Sequence, residues 1–117
     1  MWVMVSGPYT SGLIAEAGRR ENLAAMNRVA LQVLERGHLP VIGVNLALPM
    51  IDAAGSASFD RIMMPVSLAL AERCDACLRI GGPSAGADAE AELIRAAGKP
   101  VYRSVDELPE SRYVAEP

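Results

Sequence analysis

Apolar residues in this chain fall into short continuous runs separated by longer stretches with helical spacing. Residues 2–6 (WVMVS) form a run too short for a helix that stops at Gly7-Pro8, which predicts a buried strand. Gly7, Pro8, Tyr9, Ser11 and Gly12 give the following stretch loop chemistry. From about residue 19 to residue 36, Leu23, Met26, Ala30, Val33 and Leu34 recur at helical spacing, and Gly37 supplies a left-handed stop. Residues 39–43 (LPVIG) read as a second strand. Residues 44–58 are mixed and end in AGSAS, which predicts a loop or a short helix. The segment 59–73 has helical spacing but contains Pro65, which costs ~3 kcal/mol inside a helix. The main helix is therefore predicted to start near Pro65, after a separate turn. Residues 76–80 (ACLRI) predict a third strand closed by Gly81-Gly82-Pro83. A helix over 87–98 ends at Gly98, and residues 100–103 give a fourth strand. Ser104 with Glu107 predicts a capping box opening one helical turn, and the last residues read as a loose tail.

Strands alternating with helices predict an α/β fold with a parallel sheet covered on both faces. Right-handed crossovers favour the strand order 2-1-3-4 in a sheet of four or five strands. The switch point then lies between strands 1 and 3, and ligands in such sheets bind at the carboxyl ends of the flanking strands. The loop SGPYTSG after strand 1 and the segment GGPSAGADAE after strand 3 are thus expected to face each other. There is no internal repeat or linker, so residues 1–108 read as a single domain followed by a tail over 109–117.

At 117 residues the chain suits one domain, and 51% hydrophobic residues against 21% charged exclude disorder over most of its length. Eleven basic side chains against fourteen acidic ones, with no basic block, argue against a nucleic-acid polymer as partner. A small anion remains open, because backbone amides can hold one. No apolar run approaches the ~20 residues that span a bilayer, so no membrane association is expected. The N-terminus lacks the basic region and apolar stretch of a secretory signal. With two cysteines in the chain, this predicts a cytoplasmic, reducing location. Cys74 and Cys77 are spaced C-x-x-C, as in a redox pair or half a zinc site. The single histidine, His38, is distant in sequence, and the pair falls where a helix ends and a strand begins. The two read better as small buried residues, with no metal and no cofactor.

The helix after strand 3 carries Asp88, Glu90 and Glu92. Acids near a helix N-terminus offset the macrodipole, which accounts for Asp88 and Glu92. At 100° per residue, Glu90 instead lies with Gly86, Leu93, Ile94 and Ala97, the side expected to face the sheet. A carboxylate buried there is tolerated if it lines a cleft or meets hydrogen-bond donors. Glu90 is accordingly a candidate for nucleophilic or acid–base work, or a structural hydrogen-bonded glutamate. Ser84-Ala85-Gly86, leading into the same helix, read as an N-cap or as an anion site built from free amides. Three nearby acids would repel a phosphate; Arg19 and Arg20 are available to offset them.

The string S-x-G-x-x-x-E at Ser84, Gly86 and Glu90, followed by the A-x-G-K-P-V that ends at Val101, resembles the nucleoside 2-deoxyribosyltransferase-like superfamily. The opening Gly7-Pro8-Tyr9, the G-H-x-P turn at Gly37, His38 and Pro40, and Cys74-Asp75-Ala76 look like a small bacterial branch of it, and the likeness covers about residues 2–108. The resemblance implies a flavodoxin-like three-layer fold assembled as homodimers or larger homo-oligomers. It implies cleavage of an N-glycosidic bond in a nucleoside or nucleotide, by attack of Glu90 on the anomeric carbon and a glycosyl-enzyme ester. It also implies that Ser84 and Gly86 hold a 5′-phosphate, as in the nucleoside 5′-monophosphate N-glycosidases, and that Gly7, Pro8 and Tyr9 shape the sugar and base pocket. One position departs from the pattern. Where active members carry an aspartate, eight residues before Asp75, this chain has Ser67. Asp60 is the candidate replacement acid if the Pro65 break turns it inward, while Asp75 is expected to cap between helix and strand. The expected activity is thus hydrolysis of a nucleoside 5′-monophosphate. The alternatives are deoxyribosyl transfer and a catalytically weak nucleotide-binding protein.

Overall fold

The buried strand Val3-Met4-Val5-Ser6 organises everything around it. The computed structural model describes residues 1–10 and 16–111; residues 11–15 and 112–117, including Ser11, Gly12 and the end of the expected tail, lie outside the described residues. Four strands form an all-parallel sheet in the order β2-β1-β3-β4, with β1 over Trp2–Ser6, β2 over Leu39–Val41, β3 over Ala76–Arg79 and β4 over Val101–Tyr102. This is the predicted order, within an α/β, flavodoxin-like three-layer architecture. The helices are α1 (Glu16–Glu35), α2 (Gly43–Ala54), α3 (Phe59–Arg73) and α4 (Ala85–Ala96).

Period-two alternation sorts the strand residues between two cores. Val3, Val5, Ala76 and Leu78 pack against Met26, Ala30 and Val33 of α1. Met4 and Cys77 face the other way, onto Ala71 of α3 and Ala91 and Ile94 of α4, together with Cys74. Ser6 and Arg79 follow Met4 and Cys77 by two residues and are paired in the β1–β3 register. Both therefore fall on the α3–α4 side, at the carboxyl end of the sheet.

Two prolines sit inside helices, and at one of them, Pro65, the pattern predicts a helix start instead. Pro65 lies within α3, which runs unbroken from Phe59 after a 3-10 turn over Ser56–Ser58. The expected start near Pro65 is thus corrected by six residues. Burial of Met63, Ser67 and Ala71 at four-residue spacing outweighs the single hydrogen bond that an exposed proline removes. Pro49 likewise sits in α2, a 12-residue helix held by Gly43, Ala47 and Ile51. Ser104 does not cap: a 3-10 turn covers Val105–Glu107, and the Glu107 carboxylate accepts from Arg103 N–H instead.

At the end of the sheet opposite the cleft, Gly37 turns the chain with φ 91°. The Arg36 guanidinium donates to the carbonyls of Asp106 and Leu108, and Ser111 N–H donates to the Arg36 carbonyl. His38 Nε2 lies 2.5 Å from the Pro109 carbonyl, so the first residues of the expected tail are tied down. No helix among the described residues is long and apolar enough to cross a membrane.

Replacing Pro65 by Ala restores a backbone N–H opposite the Arg61 carbonyl at an exposed position. The variant is expected to gain about 1–3 kcal/mol in urea unfolding. A loss of stability would mean that the proline ring contributes packing that the helix needs.

Candidate functional site

The loops after β1 and β3 meet as expected from the strand order. Ile80 N–H donates to the Ser6 carbonyl at 2.8 Å. Gly81, at φ 77°, lies so close to Pro8 that an added Cβ would be 2.7 Å from its Cδ. Beside this junction opens a cleft of about 340 Å³, within the ~300–1,000 Å³ typical of small-molecule sites. Gly7, Tyr9 and Thr10 form one side of it. Ser84 to Ala87 and Glu90 of α4 form another. Phe59, Asp60, Met63, Met64 and Ser67 of α3, with Gly43 at the start of α2, complete the wall.

Glu90 occupies the floor of the cleft with 9% of its surface exposed. The buried stripe of α4 is Ala87, Glu90, Ala91 and Ile94; Ala97, expected on that stripe, is exposed. Burial raises the pKa of the Glu90 carboxyl above its ordinary 4.5, and three groups oppose the rise. The hydroxyls of Ser6 and Ser67 hydrogen-bond to the carboxylate, and the charge of Arg79 favours its ionised form. Ser6 also accepts from the Cys77 thiol at 3.4 Å, so a line of polar contacts runs from Cys77 through Ser6 to Glu90.

Ser84 is the N-cap of α4, its Oγ accepting from Ala87 N–H at 3.1 Å. Helix geometry leaves the N–H groups of Ala85 and Gly86 without an intrahelical acceptor, at the positive end of the helix dipole. These amides and the Glu90 carboxylate lie about one helical turn apart on the same wall. Asp88 points away and pairs with Arg79 at 3.0 Å, across a steep gradient of exposure, 8% for Arg79 against 70% for Asp88. Arg79 further donates to the carbonyls of Ile80 and Gly82, which fixes the loop entering α4.

Of the residues expected at the site, Glu90, Ser67, Ser84, Gly86, Gly7, Tyr9 and Asp60 line the cleft together. Pro8 does not; it packs on Gly81 and holds the two loops in contact. Asp60 sits in the exposed first turn of α3 and reaches the cleft from a continuous helix, without any break at Pro65. Asp75 does not cap α3. Its carboxylate accepts from Trp2 N–H at 2.8 Å and pins the start of β1, while Cys74 N–H closes the helix onto Ala71. Arg20 is exposed and Arg19 half-buried, and neither lines the cleft. Ser6, Arg79 and Gly43 were assigned no role from the sequence. The alternation of β1 and β3 carries the signal for the first two, since it puts each at a buried strand end on the Glu90 side.

Both cysteines are free and buried in the α3–α4 core. Burial, followed by the charge of Asp75, pushes the Cys74 thiol up to about 11, and burial raises Cys77 as well. Both thiols are therefore protonated at neutral pH and poor nucleophiles. Among the described residues no three His, Cys, Asp or Glu side chains gather as a metal site. A scan against protein-family models gives no match, and a search of curated proteins gives none either.

Because the folded-state pKa of Glu90 lies above its unfolded value, ionising it costs folding free energy. Stability is greatest where Glu90 is protonated and declines as pH rises through the raised value. Glu90→Gln is thus expected to melt at a higher temperature than the parent protein at neutral pH. The difference should shrink as pH falls to 4.5 and below. Equal melting temperatures across that range would show that the carboxylate is not buried as described.

Proposed function

We propose that the protein hydrolyses the N-glycosidic bond of a nucleoside 5′-monophosphate through a covalent glycosyl ester on Glu90. The observation that carries this reading is a carboxylate nine-tenths buried on the floor of a cleft, bracketed by two hydroxyls and one turn from a helix N-terminus on the same wall. The likeness of Ser84, Gly86 and Glu90 to the deoxyribosyltransferase-like pattern supports it. In this reading the 5′-phosphate accepts from the free amides of Ala85 and Gly86, where the helix dipole favours an anion. Ser84 stabilises the helix start through its own bond to Ala87 N–H. A phosphate held there leaves the pentose over Glu90, within reach of the carboxylate.

The chemistry proceeds by two displacements. A Glu90 oxygen bonds to C1′ as the C1′–N bond breaks; its electron pair leaves with the base, which takes up a proton from solvent. Water then attacks C1′, the ester C–O bond breaks, the carboxylate is regenerated, and the proton of the water passes to solvent. The hydroxyls of Ser6 and Ser67 orient the nucleophile in both steps and favour its ionised form. Transfer of the sugar to a second base in place of water uses the same intermediate and the same residues.

A second reading, a nucleotide-binding protein with little turnover, is favoured by one specific feature. Ser67, at the position of the expected acid, directs its hydroxyl to Glu90, and Asp60 stands exposed at the mouth. General acid help is typically worth ~10²–10⁴-fold.

Incubation with a panel of ribo- and deoxyribonucleoside monophosphates, followed by chromatography of free base, separates these readings. Glu90→Ala is expected to lower release by about 10³-fold or more, and the activity of the parent protein to fall with acidity as Glu90 is protonated above its ordinary 4.5. Base release by the variant equal to that of the parent would remove Glu90 from the mechanism. Binding without release would favour the second reading, and an added second base trapped as a new nucleoside would identify transfer.

A further inference from the structure

The charge balance of the cleft narrows the substrate class. Two carboxylates, Asp60 at the mouth and Glu90 on the floor, line it, and no Lys, Arg or His does so among the described residues. Residues 11–15 carry no ionisable side chain in the sequence. Arg79, the cation that acts on Glu90, spends its donors on Asp88, Ile80 and Gly82 rather than on the cavity. The lining that Glu90 shares is aromatic and sulfur-rich, with Tyr9, Phe59, Met63 and Met64. Aromatic faces beside a carboxylate suit a flat cation. The Ser67 hydroxyl is occupied by Glu90 and is no acid at neutral pH, so a neutral base meets little help in departing.

We infer that the preferred substrate is a mononucleotide whose base carries a fixed positive charge at the glycosidic ring system, as in pyridinium or N7-alkylated purine nucleotides. The inference rests on the glycosidase reading above. With such a substrate the first step balances without a proton. The Glu90 oxygen forms its bond to C1′, the C1′–N bond breaks, and its electron pair neutralises the cationic ring, which leaves as a neutral molecule. In the second step water bonds to C1′, the ester bond to Glu90 breaks, and the water proton passes to solvent. The missing acid then costs nothing for this class and remains costly for neutral bases. Asp60 acts by attracting the charged ring.

The full chain is incubated with nicotinamide mononucleotide, 7-methylguanosine 5′-monophosphate and GMP, and release of free base is followed by chromatography. At least one of the two charged substrates is expected to show kcat/KM about 100-fold or more above GMP, and the faster of the two identifies the ring system. Asp60→Asn is expected to raise KM for the charged substrate about two- to fivefold more than it raises KM for GMP, as for loss of an exposed charge. Glu90-dependent cleavage of GMP within tenfold of both charged substrates overturns this inference and leaves the glycosidase reading standing. No cleavage of either charged substrate, with Glu90-dependent release from another monophosphate, likewise overturns this inference alone; no release from any monophosphate, or release undiminished in Glu90→Ala, overturns both.

Discussion

One ionisable group, the Glu90 carboxylate, sets the terms for the carboxyl end of the sheet. It is held out of water where an apolar residue would pack more cheaply, and it depends on hydroxyls from two different elements. Ser6 ends the central strand β1, and Ser67 lies midway along α3. Glu90 itself belongs to α4, so three elements meet at one carboxylate. Its burial is tolerable only while both hydroxyls and the nearby Arg79 charge are in place. Such a site costs stability, and it keeps the carboxylate poorly solvated and fixed in direction.

Arg79 has a structural counterpart to this role. A buried guanidinium at the end of β3 is also expensive, and it is satisfied by Asp88 and by two carbonyls of the loop that follows it. The pairing fixes the entry to α4 and hence the amides of Ala85 and Gly86. Strand end, loop and helix start are thus tied by one side chain, while the same charge favours ionised Glu90. The separation between the free amides of Ala85 and Gly86 and the Glu90 carboxylate follows from this construction.

Much of this was legible in the residues. Short apolar runs between helical stripes give the strand order, and helical spacing alone turns Glu90 inward while leaving Asp88 and Glu92 exposed. Propensity misleads at Pro65, because burial at four-residue spacing in α3 overrides a local penalty. Asp75 and Glu107 mislead for a related reason. Each accepts from a backbone N–H, of Trp2 and Arg103 respectively, that local capping rules do not anticipate. Ser6 and Arg79 were readable in principle from the two-residue alternation of their strands. Gly43 was not, since its importance lies in a contact between α2 and α3 that no local pattern encodes.

That contact bears on how the site can change over time. A methyl group on Gly43 would come within 2.2 Å of Ser67 Oγ, so the start of α2 rests directly on the serine. Any side chain at position 43 would collide with Ser67, so α2 can start this close to α3 only with glycine there. The constraint runs one way: position 43 is closed to every residue but glycine while α2 keeps this seat, whereas Ser67 still borders open space in the cleft.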